Sequence, residues 1–186
     1  MIRDSLRGFG LVSIFFHWVS AIVVLFLFGL GVYLTSYGYY SPDYLQYAHL
    51  HYALGILIFG FIIARLLWRL SSKTPLSLSS TVVAKLGVKL IKFSLYVLMF
   101  VVLVSGYLIC TAEGQTISVF GWFKAPALIG LDTYGINLAG LTHKFVAWGL
   151  FFIVILHAGG ALVHHFLIGD STFIRMIKPL TRDKSE

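Results

Sequence analysis

Seven histidines stand in a chain of 186 residues, and four of them, His143, His157, His164 and His165, fall within one almost wholly apolar stretch. Ionisable side chains in such surroundings are costly to bury and mark functional sites by default. Their spacing says what kind of site. Fourteen residues separate His143 from His157, close to four helical turns or about 21 Å along the axis. The two therefore share one face at two depths. His164 stays on that face about 10 Å further on, whereas His165 is turned away by about 100°. Two imidazoles on one face at this separation can each serve a different, stacked cofactor.

Their partners follow from depth. His51 opens a second apolar stretch at the level of His143, and His17 lies about two turns inside a third, at the level of His157. His51 with His143 and His17 with His157 make two bis-histidine sites, a ligation that suits haem b between bundle helices. His49, two residues from His51, cannot face the bundle with it and reads as an interface residue. His165 reads as reaching for water. The fourteen-residue interval recurs: Gly31 follows His17, Arg65 follows His51 and Gly106 follows Lys92. The glycines give clearance where a helix passes a flat macrocycle. Arg65 would meet a propionate or a quinone head at the cytoplasmic end.

The elements that must hold these residues are membrane helices. The chain is 59% hydrophobic and 11% charged, with mean hydropathy +0.90, against about a quarter charged in soluble domains. Four stretches, 11–35, 48–70, 90–111 and 142–168, reach the roughly 20 apolar residues a bilayer requires. The expected architecture is an all-α integral membrane four-helix bundle, one membrane domain over 1–186. The first stretch resembles the apolar region of a signal peptide. It is too long for one and no small-residue cleavage site follows, so it reads as an uncleaved anchor.

Charge sets the orientation. Arg3, Arg7, Arg65, Arg69, Lys73, Lys85, Lys89, Lys92, Arg175, Lys178, Arg182 and Lys184 fall on one side of the four spans, and only Lys124 and Lys144 on the other. Both termini are expected in the cytoplasm. The net charge of +7 is thereby a topology signal, and no nucleic-acid partner is needed to explain it. The loop "SYGYYSPDYLQY" suits the outer aromatic belt. The outer loop 112–141 contains the apolar run "ISVFGWFKAPALIGL", expected to lie on the membrane surface or to cap the bundle.

Other chemistries fit less well. An intramembrane metal-ion transporter usually places carboxylates within its spans, but all seven acids lie outside them. A haem-free structural subunit of a larger complex explains the helices and not the histidines. Lys85, Lys89 and Lys92 at i, i+4 and i+7 read as a solvated basic face with Lys92 deepest. The single Cys110 excludes an intrachain disulfide and the Cys-x-x-Cys-His attachment of a c-type haem.

Four segments, "FHWVSAIVV" around His17, "HYALGILIFGFIIARLLWRL" from His51, "SGYLI" in the third span and "THKFVAWGLFFIVILHAGGALVHHF", resemble the bacterial cytochrome b561 family over about Leu11 to Met176. The resemblance implies an inner-membrane protein with two b haems, ligated by His17 with His157 and by His51 with His143. It implies electron exchange with the ubiquinone pool, and in one known activity the oxidation of superoxide at the periplasmic face. In that type a histidine early in the third span and the histidine matching His164 lie near the quinone. Here the first of these is Lys92, and the long outer loop "TAEGQTISVFGWFKAP" also departs from that type. The chain reads as a di-haem membrane cytochrome moving single electrons between a periplasmic partner or superoxide and ubiquinone. Arg65, Lys92 and His164 are its candidates for the inner quinone pocket or the propionates. Too few residues lie in the cytoplasm for a nucleotide-binding domain, so NAD(P)H is not a direct substrate of this chain alone.

Overall fold

The computed structural model describes residues 1–36, 41–78 and 81–179. Four long helices dominate: α1 (Leu11–Ser36), α2 (Tyr44–Ser71), α3 (Val82–Thr111) and α4 (Thr133–Val163). All are long and apolar enough to cross a membrane, with α4 extended to Ile168 by a terminal turn. Tyr37, Tyr39 and Tyr40 of the expected aromatic belt, and Arg182 and Lys184 of the basic end, lie outside the described residues.

α3 and α4 start well ahead of their apolar stretches because side-chain caps, not hydropathy, set their first turns. Thr81 caps α3 by accepting from the Ala84 amide at 3.2 Å, so the polar turns carrying Lys85 and Lys89 are helical too. Asp132 caps α4 by accepting from the Gly135 amide at 2.8 Å, so the helix starts nine residues ahead of the apolar stretch that begins at 142. Each side-chain oxygen satisfies a first-turn donor that the helix itself cannot.

The loop expected at 112–141 is therefore shorter and more ordered than its composition suggests. It holds an antiparallel hairpin, β1 (Ile117–Val119) and β2 (Phe123–Ala125), paired Ile117 to Ala125 and Val119 to Phe123. Phe120 and Gly121 at its tip have φ of 50° and 76°, the left-handed pair that a tight hairpin turn requires. Ile117, Val119 and Ala125 are buried, and β1 packs on α2, so the hairpin caps one end of the bundle. Tyr107 ties the following segment to α3, its hydroxyl donating to the Pro126 carbonyl at 2.6 Å and accepting from the Leu128 amide at 3.1 Å.

Within the bundle α3 lies along α4 and α1 along α2, while α1 and α4 touch sparingly. Phe28 and Phe151 bridge that seam, stacked at 4.3 Å with their planes 4° apart. Leu27, Ile58, Ile62, Met99 and Leu150 form the buried centre. Leu150 falls seven residues from both His143 and His157, so this apolar plug lies midway between the two histidine levels.

The opposite end is closed by hydrogen bonds among segments distant in sequence. Asp4, buried, accepts from the Gly10 amide at 2.7 Å, Ser13 at 2.8 Å and Arg69 at 3.1 Å. The Leu76 amide donates to Leu6 O at 2.9 Å, Arg175 to Leu76 O at 2.9 Å, and the Trp18 indole to Met176 O at 2.6 Å. The N-terminal arm, the α2–α3 connection and the turn after α4 are thus gathered with their basic residues at one end.

Candidate cofactor sites

The structure brings the histidines together in two pairs. His51 on α2 and His143 on α4 have ring centroids 6.2 Å apart and planes inclined at 75°. His17 on α1 and His157 on α4 have the same 6.2 Å separation and an inclination of 66°. All four are half-buried. His49 is exposed beside Tyr52, and His165 packs on Phe166 and Phe173.

The fourteen-residue interval runs through every helix. On α1 it joins His17 to Gly31, on α2 His51 to Arg65, on α3 Lys92 to Gly106, and on α4 His143 to His157. Each helix contributes one residue to each level. Gly31 and Gly106 stand against imidazoles. A Cβ on Gly31 would lie 3.3 Å from His51 Cε1, and one on Gly106 2.9 Å from His143 Cε1.

Two imidazoles facing across 6.2 Å fit one metal between them. Metal–imidazole bonds of about 2 Å, with about 1.1 Å from each nitrogen to its ring centre, require roughly 6 Å. At the His51–His143 level the hydrogen bonding also suits ligation. His143 Nδ1 lies 2.9 Å from the Val102 carbonyl and 3.3 Å from Ser105 Oγ. A carbonyl only accepts, so the proton sits on Nδ1 and the Nε2 lone pair is left for a metal. His51 Nδ1 is buried with no hydrogen-bond partner among the described residues. Those residues gather no group of three or more His, Cys, Asp or Glu side chains. Each pair supplies two imidazoles, which would suit a haem iron as donors.

The His17–His157 level carries cations. Arg65 Nη2 lies 3.3 Å from His17 Nδ1, its Nη1 donates to Ser20 Oγ, and its guanidinium stands 5.6 Å above the Tyr96 ring. Guanidinium only donates, so His17 accepts at Nδ1 in this arrangement. Ligation through Nε2 needs the reverse tautomer, and Arg65 must then turn from His17 while keeping Ser20 and Tyr96. Lys92 is exposed at the same end, within electrostatic reach of His157 and Arg69.

His164 lies apart from the inner pair's contacts and meets a residue that scanning the spans for acids passes over. Its Nδ1 is 2.6 Å from Asp170 Oδ2. Partial burial works against ionisation of Asp170, but hydrogen bonds from His164 and Thr172 outweigh it and hold the carboxyl below its ordinary range. Gly169, in the left-handed region with φ 74°, is the sequence signal that the chain turns back here.

The chain matches the prokaryotic cytochrome b561 family model over residues 8–179. It is 38% identical over 176 residues to cytochrome b561 homolog 2 of Escherichia coli (strain K12), covering 94% of each chain. It is 21% identical over 173 residues to cytochrome b561 homolog 1 of the same organism, covering 92% of this chain and 98% of the relative.

Proposed function

We propose, since the chain belongs to the prokaryotic cytochrome b561 family of bacterial haem b membrane proteins, that it carries two b haems and passes single electrons across the inner membrane. The observation that carries this reading is the pair of facing imidazoles at each level, both 6.2 Å apart. His51 and His143 hold the outer haem, His17 and His157 the inner one, and both termini lie in the cytoplasm. When bound, each haem supplies an iron that changes by one electron between its two oxidation states.

The protein's own residues orient and tune. Val102 and Ser105 fix the His143 ring, and the carbonyl bond raises its basicity as a ligand. The plug of Leu27, Ile58, Ile62, Met99 and Leu150 keeps the two levels apart and dry. Arg65 and Lys92 place positive charge at the inner level, where they meet haem carboxylates or the head of ubiquinone and favour the reduced iron. The electron donor at the outer face is a periplasmic redox partner or superoxide.

The test is the reduced-minus-oxidised spectrum of the purified protein with its haem-to-protein ratio. Two low-spin, non-covalent b haems support the reading. Protein that binds zinc stoichiometrically and takes up no haem under haem-replete expression overturns it. Superoxide-driven ubiquinone reduction by the loaded protein then separates an oxidase from an electron-transfer subunit.

A further inference from the structure

The end of the bundle that gathers the basic residues also holds a cavity that neither histidine pair uses. Its volume is about 440 Å³, and Arg3, Ser5, Leu6, Trp68, Ser72 and Lys73 line it. The N-terminal arm makes one wall. The last turn of α2 and the start of the connection to α3 make the other. Main-chain bonds hold the arm in place: the Leu11 amide donates to Met1 O at 3.2 Å and the Leu76 amide to Leu6 O at 2.9 Å. Gly10 permits this fold of the arm, since a Cβ there would collide with the Ile2 carbonyl. The Trp68 indole, donating to Ser13 Oγ at 2.9 Å, fixes the facing wall.

The groups around this cavity leave a surplus of positive charge. Asp4, the one acid on its lining, has a wholly buried side chain that already accepts from Gly10, Ser13 and Arg69. Arg69 also donates to the Lys73 carbonyl at 3.2 Å, and Ser71 Oγ to the Trp68 carbonyl at 3.0 Å. These carbonyls at the end of α2, which would repel an anion, are thereby engaged. Arg3 and Lys73 are exposed, and neither side chain has a hydrogen bond or ion pair among the described residues. The Ser72 hydroxyl is likewise without a partner among them. Two unpaired cations and a free hydroxyl on one cavity recognise a phosphate oxyanion, to which arginine and lysine give charge-assisted hydrogen bonds.

The surroundings say which phosphate. The cavity lies between the segment before α1 and the segment after α2, at the boundary of the spans where lipid headgroups stand. Ile63 and Leu67 are exposed on α2, and Ser71, on the cavity wall, continues their stripe at i, i+4 and i+8. Leu6 and Leu70 expose apolar surface beside it. A free phosphate would use the cations and leave the stripe bare, whereas an acyl chain lying along the stripe ends at the cavity. We propose that this cavity binds the headgroup of an acidic phospholipid. Arg3 and Lys73 hold its phosphodiester, Ser72 meets a headgroup oxygen, and its acyl chains run along Ile63 and Leu67. Bound there, the lipid ties the N-terminal arm to the α2–α3 connection. Basic pockets on the side assigned above to the cytoplasm face the anionic leaflet. The inference uses the membrane helices and their basic end but neither haem, so its failure and that of the proposed function are separate results.

The experiment uses the full-length protein, delipidated in a neutral detergent, with haem content recorded for every variant. Phosphatidylglycerol or phosphatidylcholine with the same acyl chains is added in mixed micelles. The melting midpoint is measured, and retained lipid is counted by native mass spectrometry. Phosphatidylglycerol should stay bound and raise the parent's midpoint by about 5 °C, the shift for ligand about a hundredfold above Kd in a chain of this length. Phosphatidylcholine should do neither. Arg3→Gln and Lys73→Gln should each lose part of both effects, and the double variant all of them, while Lys73→Arg keeps them. Lys85→Gln with Lys89→Gln removes the same charge from α3, outside the cavity, and should keep both effects. Equal shifts with the two lipids, or a shift that survives in the Arg3 and Lys73 double variant, overturn the site. Equal loss in the Lys85 and Lys89 variant reduces the effect to general charge attraction and overturns it too. A midpoint raised as far by sodium phosphate, at the same phosphate concentration, assigns the cavity to a free anion and overturns the lipid.

Discussion

Gly106 on α3 leaves room for the imidazole of His143 on α4: a Cβ at that position would stand 2.9 Å from His143 Cε1. The ring cannot retreat freely, because Nδ1 is held by the Val102 carbonyl at 2.9 Å and lies 3.3 Å from Ser105 Oγ. Gly106→Ala must therefore shift α3, tilt the ring or break its bond. The expected result is loss or weakening of the outer haem with the inner one retained. Gly31→Ala, with its Cβ at 3.3 Å from His51 Cε1, should do the same more mildly. Gly55→Ala, which meets nothing within 4 Å, should be silent. Haem-to-protein ratios and low-temperature spectra of the three variants decide; an unchanged outer haem in Gly106→Ala contradicts the packing argument.

If each pair holds a haem as proposed, removing one imidazole would take away one of its two protein donors, so each level should fail on its own. His51→Ala and His143→Ala should lose the outer haem and His17→Ala and His157→Ala the inner, taking the haem content from about two per chain to about one. His49→Ala and His165→Ala should keep both. Loss of a haem in His49→Ala with two retained in His51→Ala would place the wrong residue on α2.

How much of this was legible in the sequence depends on whether the signal is periodic. The interval of fourteen residues recurs on all four helices, so the depth and face of His17, His51, His143 and His157 follow from helix geometry, and the structure places them side by side. The four helices are legible for the same reason. Their ends are not, because Thr81 and Asp132 act through single hydrogen bonds to their own helices outside any apolar stretch. The hairpin at 117–125 escapes because two three-residue strands are too short for a pattern of alternation. Partners that are main-chain atoms or lie across a turn, such as the Val102 carbonyl on His143 or Asp170 on His164, need the folded chain to be seen.

Arg65 gives a prediction on potential. It is a cation at the inner level, bonded to Ser20 and 3.3 Å from His17 Nδ1. Positive charge nearby favours the reduced iron, so Arg65→Gln should lower the inner haem's potential. One charge removed in a partly solvated site is worth on the order of 50 mV. The glutamine amide oxygen can also accept from His17 Nδ1–H, which keeps the ligand oriented, and both haems should remain. Potentiometric titration should show the outer haem unmoved; an equal shift at both levels would mean that Arg65 acts through the whole bundle rather than locally.

Lys92 stands fourteen residues before Gly106 on the stripe of α3 that faces both levels, and it lies within electrostatic reach of His157. A charged amine is costly inside a bilayer, and its exposure lets it reach the cytoplasmic interface or an anionic group at the inner level. His17 and His157 already face each other across the inner site, so Lys92→Ala should keep both haems. Loss of the charge should lower the inner potential and alter quinone reactivity, because an ammonium donates hydrogen bonds but cannot accept a proton as imidazole does. Lys92→His should equal or exceed the parent in quinone reduction. Haem content, inner-haem potential and quinol-driven reduction of both variants are the measurements. Parent-like potentials and rates in both would reduce Lys92 to the innermost member of the solvated face that begins with Lys85 and Lys89.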